Sequence, residues 1–553
     1  MMNSRWILPV TAAAALAVLA CAWLAGFATQ TAFVWSATIP LEGGWRVLNG
    51  QIPHQDFHSP VGYLYLGLIG ACMHLFGATP DALTQAAALL YVPAVLWTWV
   101  LANRRFSPLL AAATTLLLPL HLVTLTIFGS VGSDGISLGG QYSRISWGLF
   151  LIAALALLAP PREGTTPRQR LVEHLVTGVL LGLLFGVKVT YVAGAVGLAG
   201  LAWVMGLQRG WTWIVAIAAA ALVTVVVGLV ATGASLSGYL HDLALVQASR
   251  DQSTLMLLHA QVRRIDPTLL ALVLIHAVIA WPVLATLPRP RWLGPVPVPV
   301  LGAAALLVGG HVLSAMNGTE DTSPVHLPAM LILQAGVERA RLGGTLAPPM
   351  LVQVRAAGVL VLVLALASWG RMAMPLVKAA VKSGIDRSPV ALARDGVATG
   401  PWKGHDWMHS SAAVSDPGKL VRFLNNNGDS LLANAWLLQL RSGLEILQQL
   451  NAGPSDVVVD LDATNPFPFA AGLGSPKGDH LYWHLGRNVS ERTAPPADVL
   501  LRDATIVMRP AMPCFVDVAE RKSRLYEPWL AAHFRRIDNL SPLWTVWVRP
   551  DRP

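Results

Sequence analysis

The chain is dominated by a succession of apolar runs that fill its first two thirds. A helix that crosses a bilayer needs about 20 mainly apolar residues. Runs suited to that task occur at 6–27, 81–102, 107–128, 146–160, 174–189, 191–207, 212–233, 268–287, 295–315, 326–340 and 349–374. We therefore predict a mainly α, polytopic membrane protein with about eleven transmembrane helices.

The distribution of charge divides the chain into two parts. Charged residues make up about 8% of residues 1–375 but about 21% of residues 376–553, and the second value is near that of soluble domains. We predict a transmembrane domain over 1–375 and a soluble α/β domain over 376–553. In the soluble domain, strands are predicted at 456–461 and 545–549, and helices at 417–426, 430–450 and 523–535.

The basic turns between the apolar runs orient the chain. They fall on one side if a further run, 61–77, is an interfacial helix and does not cross. Lys and Arg are enriched on the cytoplasmic side of membrane proteins. We therefore predict a cytoplasmic N-terminus and a periplasmic C-terminal domain in a bacterial inner membrane. The first run also has signal-peptide features, but its length favours retention as a transmembrane helix.

Composition excludes several function classes. Most of the formal charge of +9 lies in short loops between apolar runs, where it serves topology, so no nucleic-acid partner is expected. The chain has no P-loop, dinucleotide fingerprint or zinc-ligand spacing, and its three cysteines imply no disulfide framework. The cofactor is unknown: a divalent metal is compatible with the sequence, and none is required by it.

A polar segment at 35–65 interrupts the apolar first third, within a predicted outer loop with interfacial helices at 28–80. Ionisable groups held at a membrane face are costly and mark candidate functional sites. If 40–49 is helical, Glu42 and Arg46 are neighbours one turn apart and can form a structural pair. The segment holds five ionisable residues: Glu42, Arg46, His54, Asp56 and His58.

Further candidates lie in other outer segments. Tyr142 and Arg144 end a glycine-rich loop and open a span, and Arg250 lies in a long outer loop. Lys188 ends a short span at its outer side, where a positive charge has no use in orientation. In the soluble domain, the loop 460–487 is rich in proline, glycine and aromatic residues. It either packs within its own domain or docks on the outer mouth of the membrane region.

Three stretches resemble the GT-C superfamily, polytopic glycosyltransferases that use lipid-linked sugars. Bacterial relatives of protein mannosyltransferases and of the aminoarabinose transferase acting on lipid A are the most similar. The resemblance is carried by GGWRVLNGQIPHQDFHSPVGYLY, by GVLLGLLFGVKVTYVAG and by NGTEDTSPVHLPAML. It implies a first outer loop with a catalytic acid, two juxtamembrane helices and a C-terminal outer domain. Many relatives carry an acidic pair near the positions of Ser36 and Ala37. This chain has no carboxylate there, so the role of catalytic acid residue would pass to Glu42 or Asp56.

The chemistry implied by the resemblance assigns roles to these residues. A carboxylate, Asp56 or Glu42, would act as the general base that accepts the proton of an acceptor hydroxyl, although Asp56 could instead cap its turn. Cations would stabilise the leaving phosphate. His54 and His58 could shuttle protons, or be loop histidines with satisfied hydrogen bonds. The predicted substrate-binding residues are His54, His58, Tyr142, Arg144, Lys188 and Arg250.

The predicted function is transfer of a sugar from a polyprenyl-phosphate donor to a lipid or glycan acceptor at the periplasmic face, in contact with membrane lipids. One alternative is a transporter or flippase, although transporters usually show internal repeats and helices broken near the midplane, and no convincing repeat is found here. The other is a non-catalytic partner in envelope polysaccharide assembly, with the soluble domain as its binding module.

Overall fold

A computed structural model describes residues 6–26, 34–125, 138–159, 161, 164–208, 210–251, 253–288, 295–317, 324–343, 346–385 and 433–552. The helices of the membrane region are α1 Ile7–Leu24, α2 Val34–Leu48, α3 Tyr63–Phe76, α4 Ala82–Asn103, α5 Pro108–Leu117, α6 Leu120–Val123, α7 Gln141–Leu158, α8 Pro167–Lys188, α9 Thr190–Val204, α10 Thr212–Thr232, α11 Leu236–Ala248, α12 Thr254–Val262, α13 Pro267–Leu284, α14 Val298–Asn317, α15 His326–Gly343 and α16 Pro348–Ile385. The predicted helix at 417–426 lies outside the described residues.

Every predicted span coincides with helix in the described ranges, and the protein is a multi-pass membrane protein. Among the described residues, eight helices are long and apolar enough to cross a bilayer, and α5–α6 and α9 are apolar but shorter. Helix α15, over the predicted span 326–340, is not among the eight, so the predicted count of eleven stays a prediction. The run 107–128 is not one continuous helix, because Pro119 separates α5 from α6 and proline cannot donate a helical hydrogen bond. Helix α16 continues ten residues beyond the predicted domain boundary at residue 375.

Helix α3 covers most of the run 61–77, and its position at the interface stays a prediction. It has 14 residues, and at a rise of 1.5 Å per residue it is about 21 Å long, against a hydrocarbon core of about 30 Å. The long outer segment after α10, predicted as a loop, contains α11 and α12 instead. Each begins after a serine whose side chain accepts a backbone N–H: Ser235 from Gly238, and Ser253 from Met256.

Small residues let the helices approach closely where the candidate site is built. Helix α8 lies against α10 through Gly178 and Gly182. An added Cβ at Gly182 would lie 2.5 Å from the Cβ of Thr224. Such glycines permit close backbone approach in membrane helices. At the end of α8, Gly62 donates to the carbonyl of Val187 at 3.0 Å, which fixes the polar segment beside Lys188.

The described part of the C-terminal domain is a small α/β unit. It contains α17 Ala433–Gln449, β1 Val458–Asp460, α18 Phe467–Ala471, α19 Ala497–Leu500, β2 Ile506–Pro510, α20 Val516–His533, β3 Arg535–Ile537 and β4 Trp544–Val548. The sheet order is β1-β2-β4-β3, with β1 and β2 parallel and the other pairs antiparallel. The predicted strands and the predicted helices at 430–450 and 523–535 are confirmed.

This domain rests on helix α2. The buried residues of α17 recur at helical spacing, at Trp436, Leu440, Leu444 and Leu447. Both α17 and α18 contact α2. The indole of Trp45 donates to the carbonyl of Leu473 at 3.0 Å and its ring meets that of Phe469 edge-on. The helix after the first span therefore serves as the platform for the soluble domain.

We expect Gly182→Ala to lower the thermal unfolding temperature of the purified protein in detergent. The added methyl group overlaps Thr224 and the carbonyl of Ala221, and overpacking costs about 1–3 kcal/mol. Gly197→Ala is the matched control, because an added Cβ there meets nothing within 4 Å. Equal unfolding temperatures for the two variants would contradict the close α8–α10 contact.

Candidate functional site

A tight turn at residues 52–57 presents the histidines of the polar segment. The backbone N–H of His54 donates to the carbonyl of Phe57 at 3.0 Å, and that of Asp56 donates to Ile52 at 2.9 Å. His54 adopts φ +65°, a left-handed conformation that is uncommon for a residue with a side chain. The turn therefore holds His54 in one orientation, toward helix α11.

Both histidines of this turn bind one buried carboxylate. Asp242 of α11 accepts from Nδ1 of His54 at 2.7 Å, from Nδ1 of His58 at 2.6 Å and from the backbone N–H of Ser59 at 2.9 Å. Burial acts to raise the pKa of Asp242, but the hydrogen bonds from the two histidines outweigh it and lower that pKa. The bond to Asp242 raises the pKa of His58. The ring of His480, from the C-terminal domain, lies 5.3 Å from that of His58.

Glu42 is part of a buried ion pair. Its Oε1 lies 2.9 Å from Nε of Arg46, one turn further along α2, and Arg46 also donates to the carbonyl of Pro476 at 2.6 Å. Burial raises the pKa of Glu42 to about 7 in spite of the adjacent guanidinium charge. The pair therefore ties α2 to the C-terminal domain, as expected of the structural pair that the spacing allows.

Asp56 is more accessible than Glu42. One carboxylate oxygen accepts from the backbone N–H of Ile52 at 2.8 Å, and the other lies 3.1 Å from Nζ of Lys477. The Asp56 side chain is 23% exposed and that of Lys477 is 59% exposed. An ion pair with such an exposed partner contributes little stability, so Lys477 can give way to a ligand.

The first turn of α7 forms a cationic pocket with the end of α8. The Nζ of Lys188 donates to the hydroxyl of Ser143 at 2.9 Å and lies 4.9 Å from the ring centroid of Tyr142. Arg144 is buried in the same turn. The turn contains no acidic residue, and Gly140 supplies no capping side chain. Because helix N-termini favour anions, this turn and its two cations together suit a negatively charged ligand.

Neutral polar groups complete this pocket. Among the described residues, the side-chain amide of Gln141 and the hydroxyl of Tyr65 are buried without a hydrogen-bond partner. The ring of Tyr65 lies 6.1 Å from that of Tyr142, and Tyr482 of the C-terminal domain lies beside Tyr142. Buried polar groups are normally satisfied by protein or by water, so these unpaired groups are candidate partners for a polar ligand.

Arg250 lies at a second cationic position, at the end of α14. It donates to the carbonyl of Met316 at 3.0 Å, and Arg487 donates to that of Asn317 at 2.7 Å. Burial and the nearby Arg487 lower the pKa of Arg250. The side-chain oxygen of Asn317 accepts from Thr190 at 2.8 Å, two residues beyond Lys188.

One segment of the C-terminal domain, residues 473–489, runs along all of these groups, and we name it the covering loop. The loop meets Arg46 through Pro476 and Asp56 through Lys477 and Gly478. Further along, its backbone pairs with His58 on both sides of His480. Tyr482 and Arg487 then reach the first turn of α7 and the end of α14.

An apolar groove runs along the helices beneath the cationic pocket. Its volume is about 540 Å³, and it is lined by residues of α8, α9 and α10 together with Leu236. Phe185, one of its lining residues, precedes Lys188 by three positions, about one helical turn. The groove and the cations therefore lie on successive turns of the same helix.

The structure brings most of the predicted residues to one face of the membrane region. One carboxylate binds both His54 and His58, and one pocket contains Tyr142, Arg144 and Lys188. The two predicted carboxylates have separate partners: Arg46 pairs with Glu42, and Lys477 pairs with Asp56. In the described ranges, no group of three or more His, Cys, Asp or Glu side chains could hold a metal ion. Sequence reasoning did not assign site roles to five residues: Tyr65, Gln141, Asp242, Tyr482 and Arg487.

No protein-family model matches the chain, and no curated protein matches it in sequence. Solved structures are similar to it at low identity. ArnT from Cupriavidus metallidurans, bound to undecaprenyl phosphate, is 13% identical with a TM-score of 0.46, covering 99% of this chain and 98% of that one. An Archaeoglobus fulgidus oligosaccharyltransferase in complex with Zn and sulfate is 13% identical with a TM-score of 0.35, covering 90% and 68%. AglB from the same organism, in complex with an inhibitory peptide and a dolichol-phosphate, is 12% identical with a TM-score of 0.35, covering 99% and 75%.

The chain itself is a polytopic α-helical membrane protein with a small C-terminal α/β domain, as predicted. Its candidate site lies where that domain meets the helices.

We expect stability of the unmodified protein to fall as pH rises from about 5 to about 7.5. The folded-state pKa of Glu42 is about 7 and its ordinary value is 4.5, so the folded state binds the extra proton and loses that advantage as pH rises. The difference corresponds to about 3 kcal/mol. Thermal unfolding followed at both pH values should show that Glu42→Gln removes this pH dependence.

Glu445→Gln is the matched control, because Glu445 forms the same i,i+4 pair with Arg441 on an exposed surface. It should retain the pH dependence of the unmodified protein. A Glu42→Gln variant that keeps the full pH dependence would show that Glu42 is not the buried, proton-binding group described here.

Proposed function

We propose that this protein is an integral membrane glycosyltransferase that moves a sugar from a polyprenyl-phosphate donor to an acceptor. The acceptor is a cell-envelope glycan or glycolipid on the periplasmic face of a bacterial inner membrane, the side on which we place the C-terminal domain. The observation that carries this proposal is that Lys188 lies about one helical turn beyond Phe185, which lines the apolar groove of α8, α9 and α10, and donates to Ser143 in the same turn as Arg144.

A lipid-linked phosphate has two parts that need different surroundings. Its chain requires an apolar surface exposed to the bilayer, and the groove offers one in which Val196, Trp203 and Leu222 are exposed. Its phosphate requires hydrogen-bond donors and positive charge, which the first turn of α7 and Lys188 supply. A bound lipid phosphate could therefore place its head group at Lys188 and its chain along α8.

The reaction that suits this arrangement is a direct displacement with inversion. The acceptor oxygen attacks the anomeric carbon while the bond from that carbon to the phosphate oxygen breaks. Negative charge then grows on the leaving phosphate, where fixed positive groups in a buried site are most effective. Arg250, with Arg487 beside it, provides a second cationic position for a charged part of either substrate.

The acceptor hydroxyl must lose its proton, and the two predicted carboxylates differ as bases. The Glu42 side chain is 2% exposed and is bonded to Arg46, so an acceptor cannot reach it without disturbing α2. Asp56 is partly exposed, and its partner Lys477 lies at the surface. We therefore assign the role of general base to Asp56 and a structural role to Glu42.

We expect Lys188→Gln to weaken binding of undecaprenyl phosphate and to lower consumption of the lipid-linked sugar by about 10²–10³-fold, the usual effect of removing one charge-stabilising donor. Binding is measured on purified protein in nanodiscs with undecaprenyl phosphate alone. Arg263→Gln is the control, since Arg263 is an exposed cation directly after α12. Equal binding by Lys188→Gln and the unmodified protein would place the phosphate elsewhere.

We expect Asp56→Ala to lower sugar transfer by about 10²-fold or more while binding of undecaprenyl phosphate persists, because a base acts on the acceptor and not on the donor. Glu42→Ala should instead lower the unfolding temperature. Asp538→Ala, at an exposed acid paired with Arg536, is the control. Normal transfer by Asp56→Ala would exclude Asp56 as the base.

The same measurements separate the alternative functions. A transporter would bind the lipid and move it between vesicle leaflets without consuming the sugar linkage. A non-catalytic assembly partner would show neither consumption nor movement of lipid. Loss of donor in the unmodified protein, with release of undecaprenyl phosphate, is the result that only the glycosyltransferase gives.

A further inference from the structure

A second acid–base group connects the polar segment with helix α11. His54, Asp242 and His58 form a three-membered bridge in which one carboxylate accepts from two imidazoles, at 2.7 and 2.6 Å. Asp242 is buried, and within the described residues its partners are these two rings and the backbone N–H of Ser59. A carboxylate in this position fixes the tautomer and orientation of an imidazole and stabilises its charged form, as in catalytic triads.

The two imidazoles differ in what they can do. His54 is buried, and its Nε2 has no hydrogen-bond partner among the described residues. His54 is therefore out of reach of a ligand, with its Nδ1 bonded to Asp242. The side chain of His58 is 27% exposed, so its Nε2 can gain and lose a proton. Of the pair, His58 is therefore the ring able to act on a ligand.

Two series of contacts connect His58 with Lys188. Along the chain, Gly62 is bonded to the carbonyl of Val187, the residue before Lys188. Across the covering loop, His58 forms a β-bridge with His480, and Tyr482, two residues further on, lies beside Tyr142. The ring of Tyr142 then lies 4.9 Å from the ammonium of Lys188.

We propose that His58, held in its protonated form by Asp242, gives a proton to the leaving phosphate, with Asp242 and His54 as positioning residues. This inference rests on the proposed function and extends it, because it adds a general acid to the base Asp56. It also gives a purpose to the contact between His58 and the covering loop, which closes over this position.

The protons and electrons of the step balance. The acceptor O–H bond breaks and its proton passes to Asp56, while the acceptor oxygen forms a bond to the anomeric carbon. The bond from that carbon to the phosphate oxygen breaks, and its electron pair stays with the lipid phosphate. That phosphate receives the proton of His58 Nε2. His58 regains a proton from solvent and Asp56 releases one, so no other reactant is required.

The pH dependence follows from the groups around His58. Asp242 favours the protonated ring, and the nearby Asp479 acts in the same direction. Desolvation opposes them. Because an acid acts only while protonated, we expect activity to fall as pH rises through the His58 titration. The groups that surround His58 are Asp242 and His241 of α11, His54 and Asp56 of its own turn, and Lys477, Asp479 and His480 of the covering loop.

The test uses the full-length protein in nanodiscs and undecaprenyl phosphate as the binding probe, over pH 5.5–9. We expect His58→Gln to bind about 10-fold more weakly at the acid end and to lose the decline in affinity that the unmodified protein shows as pH rises. Asp242→Asn should move that decline to lower pH, because it removes the charge that favours protonation. The phosphate of the probe also titrates in this pH range, but it does so equally for every version of the protein. Differences in affinity between the versions therefore report groups of the protein.

His259→Gln is the matched control, since His259 is exposed on α12 and is not among the groups around His58. It should keep the unmodified profile. The inference is overturned if His58→Gln also keeps that profile. If Asp242→Asn fails to fold, His58→Gln still decides, because it leaves the His54–Asp242 bond intact. Absence of lipid-phosphate binding in every version would instead overturn the proposed function.

Discussion

The rest of the site depends on one contact, in which the covering loop packs on helix α2 and on the 52–57 turn. Pro476 accepts from Arg46, and Gly478 donates to the carbonyl of Asp56. In both contacts the loop takes part through its backbone, so they fix the register of the loop independently of the loop's side chains. Once that register is set, His480 lies opposite His58 and Tyr482 lies beside Tyr142. The soluble domain thus supplies one wall of a site whose other walls are membrane helices.

Burial of charge organises the interior of this site. A carboxylate taken out of water must be paired or neutralised, and the structure meets that requirement in different ways. Glu42 is paired with Arg46 and still holds its proton to about pH 7. Asp242 is paired with two imidazoles, of which that of His58 is partly exposed. The first arrangement gives a fixed contact between domains, whereas the second gives a group that can exchange a proton with a ligand. Similar residue types therefore serve structure in one place and chemistry in another.

Local patterns predicted a large part of this architecture. Apolar run lengths located the transmembrane helices, and the i,i+4 spacing of Glu42 and Arg46 predicted their pairing. The helices of the segment after α10 were missed, although Ser235 and Ser253 carry the capping signal. Apolar periodicity, the stronger signal, is weak in that polar segment.

The long-range pairings were beyond reach from one sequence. His54 and Asp242 are 188 positions apart, and Arg46 and Pro476 are 430 apart. Local sequence patterns do not predict which of several carboxylates in the outer segments will bind a given histidine. Composition predicted an ordered loop at 460–487, which includes most of the covering loop. Which residues the covering loop contacts depends on the backbone register described above, and composition does not specify that register. Arg487 gave no signal, because one arginine in a loop is ordinary until the end of α14 is placed beside it.

The central claim is that a lipid phosphate binds with its head group at the first turn of α7 and its chain along α8. A cryo-electron microscopy structure of the protein in nanodiscs with undecaprenyl phosphate tests it most directly. The account predicts phosphate density within about 3 Å of Lys188 Nζ, with the chain in the groove between α8 and α10. Density at the opposite end of the helices, or a head group that contacts neither Lys188 nor the start of α7, would contradict it.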